Sequence, residues 1–130
     1  MRLKKMKNKK GQSIVELALL LPVILMLLLG IVEFGRVYGA YMVITNASRQ
    51  GARVGAVGGD DVAIGDAVKD SANTLDQGAL LWIPTRSGEG GVGETITVTV
   101  TYDIQLYAPF IGSFTGNPIH MEAATSMRIE

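Results

Sequence analysis

Lys9-Lys10-Gly11-Gln12-Ser13-Ile14-Val15-Glu16-Leu17-Ala18-Leu19-Leu20-Leu21-Pro22 passes from a basic tail into an apolar run, with one carboxylate, Glu16, about a turn inside it. Residues 17–32 carry no charge. From Gln12 to Val32 the run has 21 residues, about 31 Å at 1.5 Å per residue, which matches a hydrocarbon core of about 30 Å. Pro22 removes one backbone bond inside it, which membrane helices tolerate. An ionised group costs about 2.5–3.5 kcal/mol at the centre of such a helix and less near its ends. Glu16 therefore needs a partner or a place near the headgroups.

The charges on either side set a direction. The chain has 130 residues with twelve basic and twelve acidic groups. Six of the basic groups (Arg2, Lys4, Lys5, Lys7, Lys9 and Lys10) fall in the first ten residues, which contain no acid. The rest of the chain is thus net acidic, by six basic against twelve acidic groups. A basic tail before a hydrophobic run stays in the cytoplasm and the remainder is exported. An acidic exported part without a basic patch makes nucleic acid an unsuitable partner.

Helical periodicity continues past the apolar run. Val37, Tyr41, Ile44, Ala47, Gly51 and Val54 recur at three- and four-residue steps, opposite a stripe of Asn46, Arg49, Gln50 and Arg53. The pattern predicts one helix from about Gln12 to about Val57, ended by Gly58-Gly59, with residues 12–32 spanning the membrane. An exported head, residues 58–130, would cover its amphipathic half. There, Asp61 to about Leu75 predicts a short helix capped by Asp60 or Asp61, with Ile64, Ala67, Val68 and Leu75 inward. Leu80–Thr85 predicts a short strand stopped by Pro84. Ser87–Gly93 predicts a turn. Thr95–Ile104 alternates without a break and places Ile96, Val98, Val100, Tyr102 and Ile104 on one face. Pro109–Pro118 predicts a loop, and Ile119–Ile129 alternates again. The class is α+β: a long N-terminal transmembrane and amphipathic helix packed on a small antiparallel sheet of about three strands, with one short extra helix.

The residues for catalysis are sparse. The chain has no cysteine and a single histidine, His120, so thiolate chemistry, disulfides and multi-histidine metal sites have nothing to build from. The glycine-rich Gly88–Gly93 is not followed by Lys-Ser or Lys-Thr, as a phosphate loop requires. Asp60, Asp61, Asp66 and Asp70 lack the alternating ligand spacing of a calcium loop. We expect no enzymatic activity, no cofactor and no metal. His120 is expected on a strand surface. Asn46-Ala47-Ser48 fits a glycosylation sequon but falls within the predicted helix.

A cleaved secretory signal also combines a basic start with an apolar core. Glu16 at the start of that core, and the charged Glu33 and Arg36 before the nearest small-residue pair, Gly39-Ala40, weigh against it. An uncleaved single-pass anchor carrying a binding or accessory module is the alternative. A third pattern is present. Lys9-Lys10-Gly11 followed by Gln12-Ser13-Ile14-Val15-Glu16 resembles the class III signals of type IV pilin-like proteins. Ile31-Val32-Glu33-Phe34-Gly35-Arg36, Ala47-Ser48-Arg49-Gln50-Gly51-Ala52-Arg53, Val98-Thr99-Val100-Thr101-Tyr102 and Ala123-Ala124-Thr125-Ser126-Met127-Arg128 follow in order and look like the TadE-like pseudopilins of tight-adherence (Flp pilus) systems. Leu17 stands where that family commonly has an aromatic residue.

The resemblance implies that a prepilin peptidase cuts between Gly11 and Gln12, removing a leader of residues 1–11. It also implies that Glu16 pairs with the N-terminal amine of a neighbouring subunit. Its implied partners are other pilin-like subunits, the pilus assembly machinery, the peptidase and membrane lipid. The implied place is the bacterial cytoplasmic (inner) membrane, single-pass, with the N-terminus inside and the head outside, and association with the pilus.

At the outer boundary Glu33 and Arg36 lie three apart. They fit either an intrahelical ion pair worth a few tenths of a kcal/mol or a charge clamp between helices. Gly35-x-x-x-Gly39, and further on Gly51-x-x-x-Gly55, have the spacing that lets helices approach closely. Arg49 and Arg53 share a face, where solvent or an acidic partner would receive them.

Overall fold

A computed structural model describes residues 9–108 and 110–130. Most of the predicted leader (residues 1–8) and Pro109 lie outside them. The apolar run and the amphipathic segment form one helix, α1 (Lys9–Ala56), followed by α2 (Asp61–Ser71), β1 (Leu80–Arg86), β2 (Thr95–Ile104), α3 (Gly112–Thr115) and β3 (Ile119–Arg128). The three strands make an antiparallel meander in the order β1-β2-β3. Trp82 faces Val100 across the first pair, and Tyr102 faces Met121 across the second. The fold is α+β: a long helix packed on a three-stranded antiparallel sheet with a short second helix.

The core lies between the C-terminal half of α1, α2 and one face of the sheet. Ile96, Val98 and Val100 have no exposed surface, and Tyr102 and Ile104 are buried beside them. From α1 the core takes mostly small side chains: Ala40, Ile44, Ala47, Ser48, Ala52 and Ala56 are buried. Gly51 and Gly55 set the closest approach. A Cβ on Gly51 would lie 2.8 Å from Val68 Cγ2 and 3.1 Å from Val98 Cγ1, and one on Gly55 would collide with Ile96. The Gly51–Gly55 spacing thus serves packing within this chain, against α2 and β2. Buried Ser48 lies 2.9 Å from the Thr45 carbonyl and shares a 2.8 Å hydroxyl contact with Thr125, tying α1 to β3.

The helix ends fit their sequences. Gly59 N–H donates to Val54 O at 2.9 Å and Gly58 N–H to Gly55 O at 3.2 Å, the paired bonds of a Schellman stop, with Gly58 at φ +85°. Asp60 caps α2 by accepting from Ala63 N–H at 2.8 Å. The glycine turn between β1 and β2 closes around Glu94, whose carboxylate accepts from Gly90 N–H and Gly91 N–H.

Four sequence expectations are corrected. Tyr41 is 45% exposed and Ala40 takes the inward position, because the inner face of α1 must be narrow to lie close to the sheet. Pro84 does not end β1, which continues to Arg86. It sits on an edge strand, where a missing donor is tolerated. The second helix stops at Ser71, with Leu75 beyond it and only half-buried. The 109–118 segment contains the short helix α3.

Candidate assembly and loop-anchoring site

Two carboxylates on α1 have opposite surroundings. Glu16 lies on the exposed apolar surface of the helix, one turn from Gln12 on the same face. Ion pairs among the described residues join Glu33 to Arg36, Asp61 to Arg86 and Asp103 to His120. None of them includes Glu16. The flanking leucines, isoleucines and valines from Ile14 to Val32 are exposed as well. None of the residues in the 18-residue apolar window of α1 is buried in the protein. A single helix with this bare surface is long and apolar enough to cross a membrane.

Glu33 is only 5% exposed and fully engaged. Its Oε1 accepts from the backbone N–H groups of Tyr107 at 2.8 Å and Ala108 at 3.1 Å. Its Oε2 accepts from Arg36 Nη1 at 2.6 Å. Arg36 extends the network by donating from Nη2 to Gln105 O at 3.3 Å, with its guanidinium 4.4 Å from the centre of the Tyr107 ring. Nearby, Asn117 closes the loop on itself: its Oδ1 accepts from Leu106 N–H at 3.0 Å and its Nδ2 donates to Leu106 O at 3.2 Å. The Glu33–Arg36 pair is therefore intrahelical, and its second task is to bind the segment after β2 to the helix. Sequence spacing found the pair but not this task, because the partners are backbone groups some seventy residues away.

Removing such a carboxylate leaves one buried N–H, of Ala108, and one partly buried N–H, of Tyr107, without an acceptor, at about 1–3 kcal/mol for the buried one before the loop relaxes. Arg36 is about a third exposed, so its loss is softened by water. We expect Glu33→Ala to destabilise the head by about 2–3 kcal/mol. That corresponds to a fall of roughly 10 °C or more in the midpoint of thermal unfolding. Circular dichroism of the full chain in detergent checks this, with Arg36→Ala causing a smaller fall. An unchanged midpoint for Glu33→Ala would remove the clamp from the account of stability.

The other candidate positions are less engaged. A Cβ on Gly35 or Gly39 would meet nothing within 4 Å, and the same holds at Gly11. The Gly35–Gly39 face of α1 is open. Arg49 and Arg53 are exposed. His120 lies on the surface of β3 with Nδ1 2.6 Å from Asp103 Oδ1 on the neighbouring strand.

Comparison with known proteins gives one result, and it falls on the helix that bears these groups. No curated protein and no solved structure matches the chain. Residues 11–53, carrying Gly11, Glu16, Glu33 and Arg36, match the family described as TadE-like protein, the same family that the sequence motifs resemble.

Proposed function

We propose that the chain is a non-enzymatic pseudopilin, a minor pilin-like subunit that helps to assemble a tight-adherence pilus and so supports adherence. The observation that carries this reading is where the TadE-like match falls: residues 11–53 hold the Gly11-Gln12 junction, Glu16 and the bare apolar surface of α1. In this reading a prepilin peptidase removes residues 1–11 and α1 remains in the cytoplasmic membrane. The basic leader keeps the N-terminus inside and the acidic head is exported. Cleavage gives Gln12 a positive amine, four positions from Glu16. An amine of this kind on a neighbouring subunit supplies the partner that Glu16 lacks among the described residues. Opposite charges paired in low dielectric cost far less than either alone.

Mass spectrometry of the N-terminus tests the reading. In cells with the matching peptidase the mature chain is expected to begin at Gln12, and Gly11→Leu is expected to leave the longer form. A wild-type chain found only with Met1 or Arg2 at its terminus would overturn the processing step and favour an uncleaved anchor.

A further inference from the structure

The segment that Glu33 holds has a composition unlike the rest of the head. From Ile104 to Ile119 there is no Asp, Glu, Lys or Arg, and two of the chain's three phenylalanines, Phe110 and Phe114, lie within it. It does not project away from the helix. It turns back along α1 toward the N-terminus, so that a Cβ on Gly30 would lie 3.8 Å from Ile111 Cδ1. Phe110, Ile111 and Phe114 border an almost wholly apolar cavity of about 340 Å³ together with Leu25, Met26 and Leu29. Yet Phe110 is 62% exposed and Phe114 90% exposed. Met26 precedes Glu33 by seven residues, about 10 Å along a helix. The tip thus lies well below the level of Glu33, beside the outer half of the apolar run.

Several backbone groups of this segment are satisfied within the protein, as a dry environment requires. Glu33 takes the Tyr107 and Ala108 donors, and Asn117 takes both polar groups of Leu106. Phe114 N–H and Thr115 N–H donate to Ile111 O at 3.0 and 3.1 Å, and Gly116 N–H donates to Gly112 O at 3.0 Å. The Thr115 hydroxyl also turns inward, to Ile111 O at 3.0 Å. Non-helical backbone at membrane depth persists only where its polar groups are satisfied by protein. Aromatic rings mark the level above the tip: Phe34 and Tyr38 stack with centroids 6.2 Å apart, and Tyr107 covers Arg36. Such rings favour the boundary between hydrocarbon and water.

We propose that residues 110–114 insert into the outer leaflet, making a second membrane contact beside the spanning helix, with lipid acyl chains covering Phe110 and Phe114. The proposal rests on the reading of residues 12–32 as the membrane span. Lipid is the occupant because the tip continues the bare surface of α1 at the same depth, without a charge in between. Insertion at two points holds the head at a fixed tilt on the membrane. Phe110 and Phe114 must leave lipid before the subunit can leave the bilayer.

The absence of cysteine makes a depth measurement direct. The full chain is reconstituted in phosphatidylethanolamine–phosphatidylglycerol vesicles with an environment-sensitive fluorophore on Phe114→Cys, on Leu27→Cys in the span or on Glu122→Cys on the head. Nitroxide groups at mid-chain positions of the lipid act as quenchers. The expected result is quenching of the Phe114 probe to the same degree as the Leu27 probe, with the Glu122 probe unaffected. Quenching at Leu27 without quenching at Phe114 overturns the insertion and leaves the span standing. Quenching at neither overturns both. A blue-shifted Phe114 probe that escapes the quenchers, and shifts back as protein is diluted with lipid, would show a second copy of the chain covering the tip and also overturn insertion.

Discussion

A fragment beginning at Asp60 is expected to show no cooperative thermal transition, whereas one beginning at Val37 unfolds in a single sharp step. The physical reason is the face that α1 covers. Ile96, Val98 and Val100 have no exposed surface in the folded chain, and each fully buried aliphatic side chain contributes about 1.5–3 kcal/mol. Uncovering three of them forfeits several kcal/mol, comparable with the ~5–15 kcal/mol that holds a whole domain together. The helix also supplies Ile44 and the Ser48 contact to Thr125. A three-stranded sheet with one short helix has no second face from which to recover that loss. Circular dichroism during heating of the two fragments decides the matter. A sharp transition from the Asp60 fragment would show that the head carries its own core.

Glu16→Ala is expected to leave insertion into the membrane intact and to abolish association with other pilin-like subunits. The substitution removes a charge from apolar surroundings, so the helix itself gains. The loss falls on the partner, whose amine is left in hydrocarbon without a counterion. Removing one member of a desolvated charge pair at an interface costs about 2–5 kcal/mol, or roughly 30-fold or more in association. Glu16→Gln keeps size and hydrogen-bonding capacity without the charge, and an intermediate defect is expected. Crosslinking in the membrane and an adherence assay read the result. A Glu16→Ala chain that is processed, crosslinks and adheres like the wild type would reduce Glu16 to an interfacial charge.

Much of the head follows from local pattern. Thr95–Ile104 announces its strand because the alternation is unbroken and the β-branched residues suit a half-buried sheet, and Gly58-Gly59 announces the end of α1 because only a few residues accept the required backbone. The inner face of α1 was less legible at Tyr41. An aromatic at the right period looks inward, but the inner stripe of α1 runs through Ala40, Ile44 and Ala47 and leaves Tyr41 at its edge. Pro84 misled for a related reason: whether a proline ends a strand depends on whether a neighbour needs its N–H, and edge position is a property of the sheet. Glu33 was the largest gap in the site. Its two loop partners are backbone donors at Tyr107 and Ala108, and a main-chain N–H leaves no mark in a sequence.

The unbroken course of α1 from Lys9 to Ala56 makes the chain a lever. The helix is 48 residues long, about 72 Å; the head is tied to it at Glu33 and beyond, with the 110–114 tip lying against it further down. A lift of the apolar half raises the head by the same distance, and a twist turns it through the same angle. Tension applied to the head travels down one rod, because the Glu33 clamp ties the segment after β2 to α1. The place where that rod lacks a backbone bond is set by Pro22, so yielding under load belongs in the apolar run, at the level that the 110–114 tip reaches.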